Sequence, residues 1–324
     1  MLAVVIATAG RPDMILPLMH RLGRQSRLPD VVLLVPSRPE DLPAGIEADA
    51  AAAGCPVALV TPCKGLTAQR NAGLDWLKAA PGLRSPASAV VFFDDDFVPH
   101  CDWLANAARV FAQDPSVVGL TGVVVADGVK GPGLTVDDAE RRLATAVPQS
   151  RLAPATLYGC NMAMRATAAE NLRFDEALPL YAWQEDYDYS QCLAKLGRVV
   201  RSDLLVGVHL GTKSGRVSGN RFGYSQIANP YYLWRKGTMG LPKVARLLGG
   251  NISTNLRRAV SPEPYIDRRG RLKGNLIAIR DLALGRLEPR RIMEIVPGSP
   301  IPPQIPAWMN AAAMQARDKL KAEP

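Results

Sequence analysis

The chain opens on an uninterrupted apolar run, LAVVIATA (residues 2–9), which stops at Gly10-Arg11-Pro12. Short β-branched runs without polar alternation are the pattern of strands buried on both faces. Three more follow: VVLLVP (31–36), VALVTP (57–62) and AVVFF (89–93). Between them the apolar spacing becomes helical. MILPLMHRLGRQ (14–25) has Asp13 as its candidate cap and an early Pro17, a short Ala-rich helix falls at 46–53, and LTAQRNAGLDWLKAA covers 66–80. Strands alternating with helices predict a mostly parallel sheet covered on both faces, with ligands beyond the carboxyl ends of its strands.

From about Val117 the strands are separated by longer loops. DGVKGPGLTVDD (127–138) reads as a mobile loop, and YGCNMAMR (158–165) as a strand entering a helix at Ala166. WQEDYDYSQCLAKLG (183–197) reads as a helix with acids at its N-terminus, and VVRSDLLV (199–206) as a strand leading into GVHLG (207–211). After His209 the strands cease and the helical pieces become basic. Prolines at 297, 300, 302, 303 and 306 mark a linker before a short terminal helix. The expected division is a sheet-bearing unit over 1–215, a basic helical region over 216–296, and a Pro-rich tail over 297–324.

Composition adds limits. The 324 residues are 48% hydrophobic and 21% charged, as in a globular protein with a core. No apolar run reaches the ~18–20 residues of a membrane-spanning helix, and the N-terminus lacks a basic leader. Cys55, Cys63, Cys101, Cys160 and Cys192 are scattered without CxxC spacing, which predicts reduced thiols in the cytoplasm rather than disulfides or a zinc site. The net charge of +9 is uneven: residues 1–200 carry 18 Lys/Arg against 22 Asp/Glu, a net −4, and residues 201–324 carry 21 against 8, a net +13. The basic third is expected either to meet an anionic membrane surface or to be the solvated side of helices packed on the sheet unit, and both can hold. Nucleic acid is not an expected partner, since no nucleic-acid-binding motif accompanies the charge.

The candidate chemistry begins with VVFFDDDFVP (90–99). Asp94, Asp95 and Asp96 repel one another unless a cation, a basic partner or solvent compensates them. A carboxylate cluster on a rigid strand end suits Mg²⁺ or Mn²⁺ with positions left for phosphate oxygens; a solvated acidic turn is the plainer alternative. In QRNAG, Arg70 could reach a pyrophosphate or simply lie at the surface. Asn161 belongs to a core strand or contacts sugar. Glu185, Asp186 and Asp188 are favoured at a helix N-terminus by the macrodipole alone, but beside Trp183 they also make a candidate sugar-binding wall with a general base. His209, between glycines, is a candidate third metal ligand.

The order of these pieces resembles the family 2 glycosyltransferases of GT-A fold, the α/β nucleotide-diphospho-sugar transferase fold, over residues 1–215. Asp94-Asp95-Asp96 stand at that family's DxD motif, QRNAG at its ARNxG and QED at its ED motif. The resemblance implies Asp96 and His209 as ligands of Mn²⁺ or Mg²⁺, Asp94 or Asp95 against the ribose or sugar, and Asp186 as general base. Thr8, Ala9, Arg11, Ser37 and Arg70 are the nucleotide contacts it implies, and Asn161, Trp183 and Glu185 its acceptor or sugar contacts. VPSRPED puts Ser37 and Arg38 where the family usually has a uracil-contacting aspartate. A UDP-sugar remains the favoured nucleoside-diphosphate sugar. GRLKGNLIAIRDLALGR (270–286) resembles the tails of bacterial exopolysaccharide and lipopolysaccharide transferases. The expected function is inverting, metal-dependent transfer of a sugar to a glycan or lipid-linked saccharide, in the cytoplasm or peripherally at the inner face of the plasma membrane. A sugar-phosphate nucleotidyltransferase ranks behind it because TAGRPD lacks a GxGxRL-like loop. A non-catalytic membrane- or sugar-binding module ranks third because it needs neither metal ligands nor an acid pair.

Overall fold

The computed structural model describes residues 1–79 and 88–295; the expected Pro-rich tail lies outside the described residues. Strand β1 (Leu2–Thr8) is apolar up to its final Thr8 because two cores flank it. Leu2, Val4 and Ile6 face one core; Ala3 and Val5 face the other. The first core receives α1 (Pro12–Gly23) through Ile15, Leu18, Met19 and Leu22. The second receives Leu74 and Leu77 of α3 (Leu66–Ala79). Helix α1 starts on Pro12, whose missing N–H suits the first turn, so Asp13 lies inside that turn and is not its cap.

Strand β2 (Val31–Pro36) pairs parallel with β1 and is followed by α2 (Ile46–Ala52) and β3 (Val57–Leu59). The third strand is shorter than VALVTP promised: it is an edge strand, half-buried to exposed, and pairs only with β2. On the other side of β1 lies β4 (Ala89–Asp94), also parallel. A tight turn at Asp95-Asp96 leads to β5 (Phe97–Pro99) and then α4 (Trp103–Gln113). The sheet continues through β6 (Val117–Asp127), α5 (Val136–Ala144), β7 (Leu152–Pro154), β8 (Asn161–Arg165), the single turn α6 (Ala166–Ala169), α7 (Glu185–Leu193) and β9 (Arg198–His209).

The nine-stranded sheet has the order β3-β2-β1-β4-β8-β6-β9-β5, with β7 paired to β9. Strands β1, β2, β3, β4, β6 and β9 run one way; β5, β7 and β8 run against them. Of the stretch expected as a mobile loop, 128–130 form a single 3-10 turn and 136–138 open α5, while 131–135 are irregular. Gly128 is buried where an added Cβ would stand 2.0 Å from the Leu210 carbonyl oxygen. Thr135 and Asp138 cap α5 reciprocally, each side chain accepting the other's backbone N–H.

The chain ends in α8 (Gly219–Lys236), α9 (Leu241–Arg258) and α10 (Arg268–Ala283). Helices α8 and α10 approach backbone to backbone, since a Cβ on Gly223 would meet the Arg271 carbonyl and one on Gly274 the Asn220 carbonyl, each at 2.0 Å. Buried amides bind the three helices: Asn255 donates to Gln226 and Asn275, both at 2.9 Å, and Asn275 to the Gly223 carbonyl at 2.7 Å. Helix α8 is seated on the sheet unit by Lys236, 2.7 Å from both Asp175 and Asp188, and by Asn229, which donates to the Trp183 carbonyl at 2.9 Å.

Close approach of α3 to β1 depends on Gly73, where a Cβ would come within 2.6 Å of Val5 Cγ1. Helix propensity alone favours alanine by about 1 kcal/mol, whereas overpacking costs about 1–3 kcal/mol. Gly73→Ala is therefore expected to lower the urea midpoint. Gly249→Ala, in α9 with nothing within 4 Å, is expected to raise it.

Candidate active site

The register of three strand pairs assembles the site. Parallel pairing sets Ala7 of β1 opposite Asp94 of β4. Antiparallel pairing sets Phe97 of β5 opposite His209 of β9, and parallel pairing sets Asp127 of β6 opposite His209. The aspartates at the end of β4 and the histidine at the end of β9 therefore meet across the carboxyl edge of the sheet.

Each aspartate has its own surroundings. Asp94 is the most open, its side chain 25% exposed, with Arg70 Nη2 at 3.2 Å. Asp95 is buried, accepts 2.7 Å from Thr8 Oγ1, and faces Arg11 Nη1 at 3.1 Å. Burial, only partly offset by Arg11, pushes its carboxyl up to about 7. Asp96 is equally buried, but Arg11 Nη1 lies at 3.1 Å, His209 Nε2 at 3.3 Å, and the Thr212 backbone N–H donates at 2.7 Å. Burial opposes its charge; Arg11, His209 and that N–H overcome it and hold Asp96 well below the usual carboxylate range. Of the two buried acids Asp95 is therefore the readier to take a proton, and Asp96 is the one held as an anion.

His209 lies between two carboxylates, with Asp127 Oδ1 3.3 Å from Nδ1. Burial would lower its pKa, but Asp96 and Asp127 carry it up to about 10. The Tyr158 hydroxyl donates to the other Asp127 oxygen at 2.8 Å. A carboxylate behind Nδ1 orients a ligating imidazole, because it fixes Nδ1–H and leaves Nε2 for the ion.

Ligand atoms of Asp94, Asp96 and His209 lie within 4.8 Å of one another. Oδ1 of Asp95 and Oδ1 of Asp96 are buried without a hydrogen bond; their contacts with Arg11 and His209 are within ion-pair range but lack hydrogen-bond alignment. Orphaned carboxylate oxygens beside an imidazole nitrogen are a donor set suited to Mn²⁺ or Mg²⁺. A second group, His100, Cys101 and Asp102, is contiguous in sequence, and His100 Nδ1 accepts from the Asp102 backbone N–H at 3.2 Å.

Around Gly159 the other acids gather. Arg70 is 2% exposed, enclosed by the rings of Phe92 and Phe174 at 5.8 and 5.3 Å, and ion-paired to Glu185. It also donates 2.9 Å to the Gly159 carbonyl. Arg70 and Glu185, expected at the nucleotide and acceptor, are instead committed to each other inside the protein. Burial and the neighbouring Asp186 hold Glu185 well above its ordinary pKa despite Arg70. Asp186 accepts from the Gly159 backbone N–H at 3.0 Å and from Tyr187 at 2.7 Å, and burial raises its carboxyl.

Asn161 is corrected too. Its side chain is 0% exposed and its Oδ1 accepts from Gly122 N at 2.6 Å and Thr121 Oγ1 at 3.0 Å, so it ties β8 to β6 and faces no ligand space. Thr8 likewise spends its hydroxyl on Asp95. Ser37 is half-buried at the end of β2, its N–H bonded to the Thr8 carbonyl at 2.8 Å, and Ala9 is half-buried at the end of β1. Trp183 is half-buried, and Tyr181 beside it is 49% exposed. They sit on a strained segment in which Leu180, Ala182 and Gln184 all have positive φ (60°, 51° and 78°). Strain of this kind in non-glycine residues concentrates at functional loops.

Sequence reasoning missed Asp127, Tyr158, Lys213 and Arg216. Lys213 donates to the Gly128 and Val129 carbonyls at 2.9 and 3.0 Å, and Arg216 to the Thr212 and Gly211 carbonyls at 2.9 and 3.0 Å.

Removing Arg70 leaves a buried carboxylate unpaired, which costs about 3–5 kcal/mol. Arg70→Met is expected to lose about that much by urea unfolding near neutral pH. Glu185 has a raised folded pKa, so the destabilisation of its anion is present above that pKa and fades as falling pH protonates it. The deficit should therefore shrink from pH 8 to pH 5.

The sequence matches the family model described as glycosyltransferase like family 2 over residues 1–202. A search of curated proteins finds no match. Among solved structures, a mannosyltransferase of Pyrobaculum calidifontis, PcManGT, in complex with GDP-Man and Mn²⁺, aligns with a TM-score of 0.51 at 18% identity, covering 97% of this chain and 86% of that one. TarS 1-349 of S. aureus in complex with UDP aligns with a TM-score of 0.53 at 15% identity, covering 90% of each chain. These likenesses show a GT-A fold. On the family match, the chain belongs to glycosyltransferase family 2 and is a glycosyltransferase.

Proposed function

We propose that the protein transfers a sugar from a nucleoside-diphosphate sugar to a hydroxyl of a glycan or lipid-linked saccharide, with inversion at the anomeric carbon. The observation that carries this reading is the grouping of Asp94, Asp96 and His209 beside the unsatisfied buried oxygens of Asp95 and Asp96. Asp96, His209 and Asp94 would hold Mn²⁺ or Mg²⁺, with Asp127 orienting His209. When bound, such an ion offsets charge developing on a leaving diphosphate. Asp94, the most open of the three acids, is placed to meet donor hydroxyls as well. Ser37 and Ala9, at the ends of β2 and β1, are the proposed nucleotide contacts, and Arg11 the proposed diphosphate contact. PcManGT with GDP-Man and Mn²⁺, and TarS with UDP, support this donor class; a UDP-sugar is favoured.

Asp186 is the proposed base. Its raised pKa brings it toward the range in which a carboxylate accepts a proton effectively near neutral pH. With no nucleophile in the scheme but the acceptor hydroxyl, displacement is direct and inverts. In this reading residues 1–215 carry the donor and the chemistry, and 216–296 face the acceptor.

The exposed side of α9 and α10 supports a membrane-associated acceptor. Leu256, Leu276 and Leu284 are 59–60% exposed and Val260 is 84% exposed, among exposed Arg257, Arg258, Arg269, Lys273 and Arg280. Apolar side chains interleaved with cations fit an anionic bilayer surface, and surface cations contribute about 1 kcal/mol each there. No described helix is long and apolar enough to cross a membrane.

Incubation with UDP-, GDP- and dTDP-sugars and Mn²⁺ should release nucleoside diphosphate from one donor. Pyrophosphate as product, or no product from any donor, overturns the reading. Asp96→Ala is expected to lose Mn²⁺-dependent nucleotide binding by calorimetry. Asp186→Asn should keep binding and lose about 10²–10⁴-fold in turnover. In flotation assays the protein should bind phosphatidylglycerol vesicles and not neutral ones, and high salt should release it; equal partition to both would refute membrane docking.

A further inference from the structure

Three cations with no carboxylate in ion-pair range among the described residues stand on the C-terminal side of the site. Arg271, in the first turn of α10, lies over the ring of Phe222 on α8, its guanidinium carbon 4.4 Å from the centroid. Its side chain has no hydrogen bond or ion pair among the described residues. The Phe222 ring is 5.8 Å from Tyr181 and 6.1 Å from Trp183, the two aromatics that lead into Glu185 and Asp186. Among the described residues Lys213 and Arg216 hydrogen-bond only to backbone carbonyls, and Lys213 also lies 5.5 Å from the centre of the Tyr265 ring. Arg271 is driven down to about 10 by burial and then by the charges of Arg268 and Arg216, and Lys213 to about 8 by burial and then by Arg216. Burial and mutual repulsion thus outweigh the carboxylates that offset them, Asp267 and Glu263 at Arg271 and Asp96 and Asp127 at Lys213.

Partly desolvated like charges are costly, and an anionic ligand reverses the cost. A guanidinium laid on an aromatic face is held flat, with its N–H edge free, and that edge matches two oxygens of a phosphate. Lys213 and Arg216 feel Asp96 and so lie toward the metal-ligand cluster. Arg271 lies on the aromatic side, beside the segment that presents Asp186. We propose that Arg271, on the Phe222–Tyr181–Trp183 platform, binds a phosphate group carried by the acceptor, so that the acceptor is a phosphorylated saccharide or a saccharide linked to lipid through phosphate. This rests on the glycosyl-transfer reading of the same site. The donor's diphosphate offers the same chemistry, and the test separates the two sources.

Full-length protein is titrated with inorganic phosphate, glucose 6-phosphate and glucose by ligand-observed NMR, both free and saturated with UDP and Mn²⁺. The expected result is that phosphate and glucose 6-phosphate bind the nucleotide-loaded protein, while glucose binds far more weakly. Arg271→Gln should weaken both anions at least about tenfold with UDP affinity unchanged, and Arg271→Lys should recover part of the loss. Phe222→Leu, which removes the stack and keeps the charge, should give a smaller loss and serves if Arg271→Gln proves unstable. Unaltered phosphate affinity in Arg271→Gln overturns the proposal. So does a parallel loss of UDP affinity, or displacement of UDP by phosphate, since either gives the guanidinium to the donor. A protein that binds no UDP, GDP or dTDP defeats the transfer reading instead, and the nucleotide-free titration still tests Arg271.

Discussion

Three adjacent carboxylates cannot be taken out of water together unless each finds a different answer to its charge, and the fold is arranged to supply those answers. Asp95 takes the Thr8 hydroxyl and Arg11 and is the readier of the two buried acids to be protonated; Asp96 takes Arg11, His209 and a backbone N–H and is held as an anion; Asp94 leans on Arg70 and keeps contact with solvent. The partners come from β1, the start of α1, α3 and β9, so the electrostatics of one turn depend on long-range register. A shift of β9 by one residue against β5 would turn His209 to the other face of the sheet.

The same economy links the acids of α7 to those of β4. Arg70 touches both Glu185 and Asp94 and is enclosed by two aromatic rings, so one buried side chain ties the helix carrying Asp186 to the aspartate turn. The strained 180–184 segment is held from its other side by α8, through Asn229 on the Trp183 carbonyl and Lys236 on Asp188. The C-terminal helices are therefore part of the apparatus that positions the acids, as well as a surface beside it.

The sheet was legible in the sequence where strands are buried on both faces, because β1, β2 and β4 then need unbroken apolar runs. Edge strand β3 carries no such demand past Leu59, and its last residues read as strand on composition alone. In the 127–138 stretch Gly131, Pro132 and Gly133 do lie in irregular backbone, but Gly128 is buried in a 3-10 turn and the capping-box spacing of Thr135 and Asp138 marked the start of α5. In the candidate site, residue type marked Asp96, Asp186 and His209 as chemically interesting but did not distinguish a carboxylate open to ligand from one committed to a neighbour. Glu185 and Asp186 differ in that respect only because Arg70 comes from a helix more than a hundred residues away in sequence. Asp127 was invisible for a similar reason: its role arises from pairing with His209 across β6 and β9.

The lopsided charge of the chain gains meaning from this geometry. The first 200 residues are net negative and bury Asp95 and Asp96 at the sheet's carboxyl edge, whereas the basic remainder pairs some cations with acids, as Lys236 with Asp175 and Asp188, and leaves two other groups unpaired or exposed. Lys213 and Arg216 feel Asp96 without pairing with it, Arg271 lies over Phe222, and Arg257, Arg258, Lys273 and Arg280 are exposed, as are leucines of the same helices. Had Lys213, Arg216 and Arg271 evolved only to neutralise the aspartates, ion pairs like that of Arg11 would be expected. Instead Lys213 and Arg216 are tethered to carbonyls and Arg271 to a ring, which keeps their charge available. Cations fixed by neutral groups near anions fixed by other cations suit the charged acceptor proposed above.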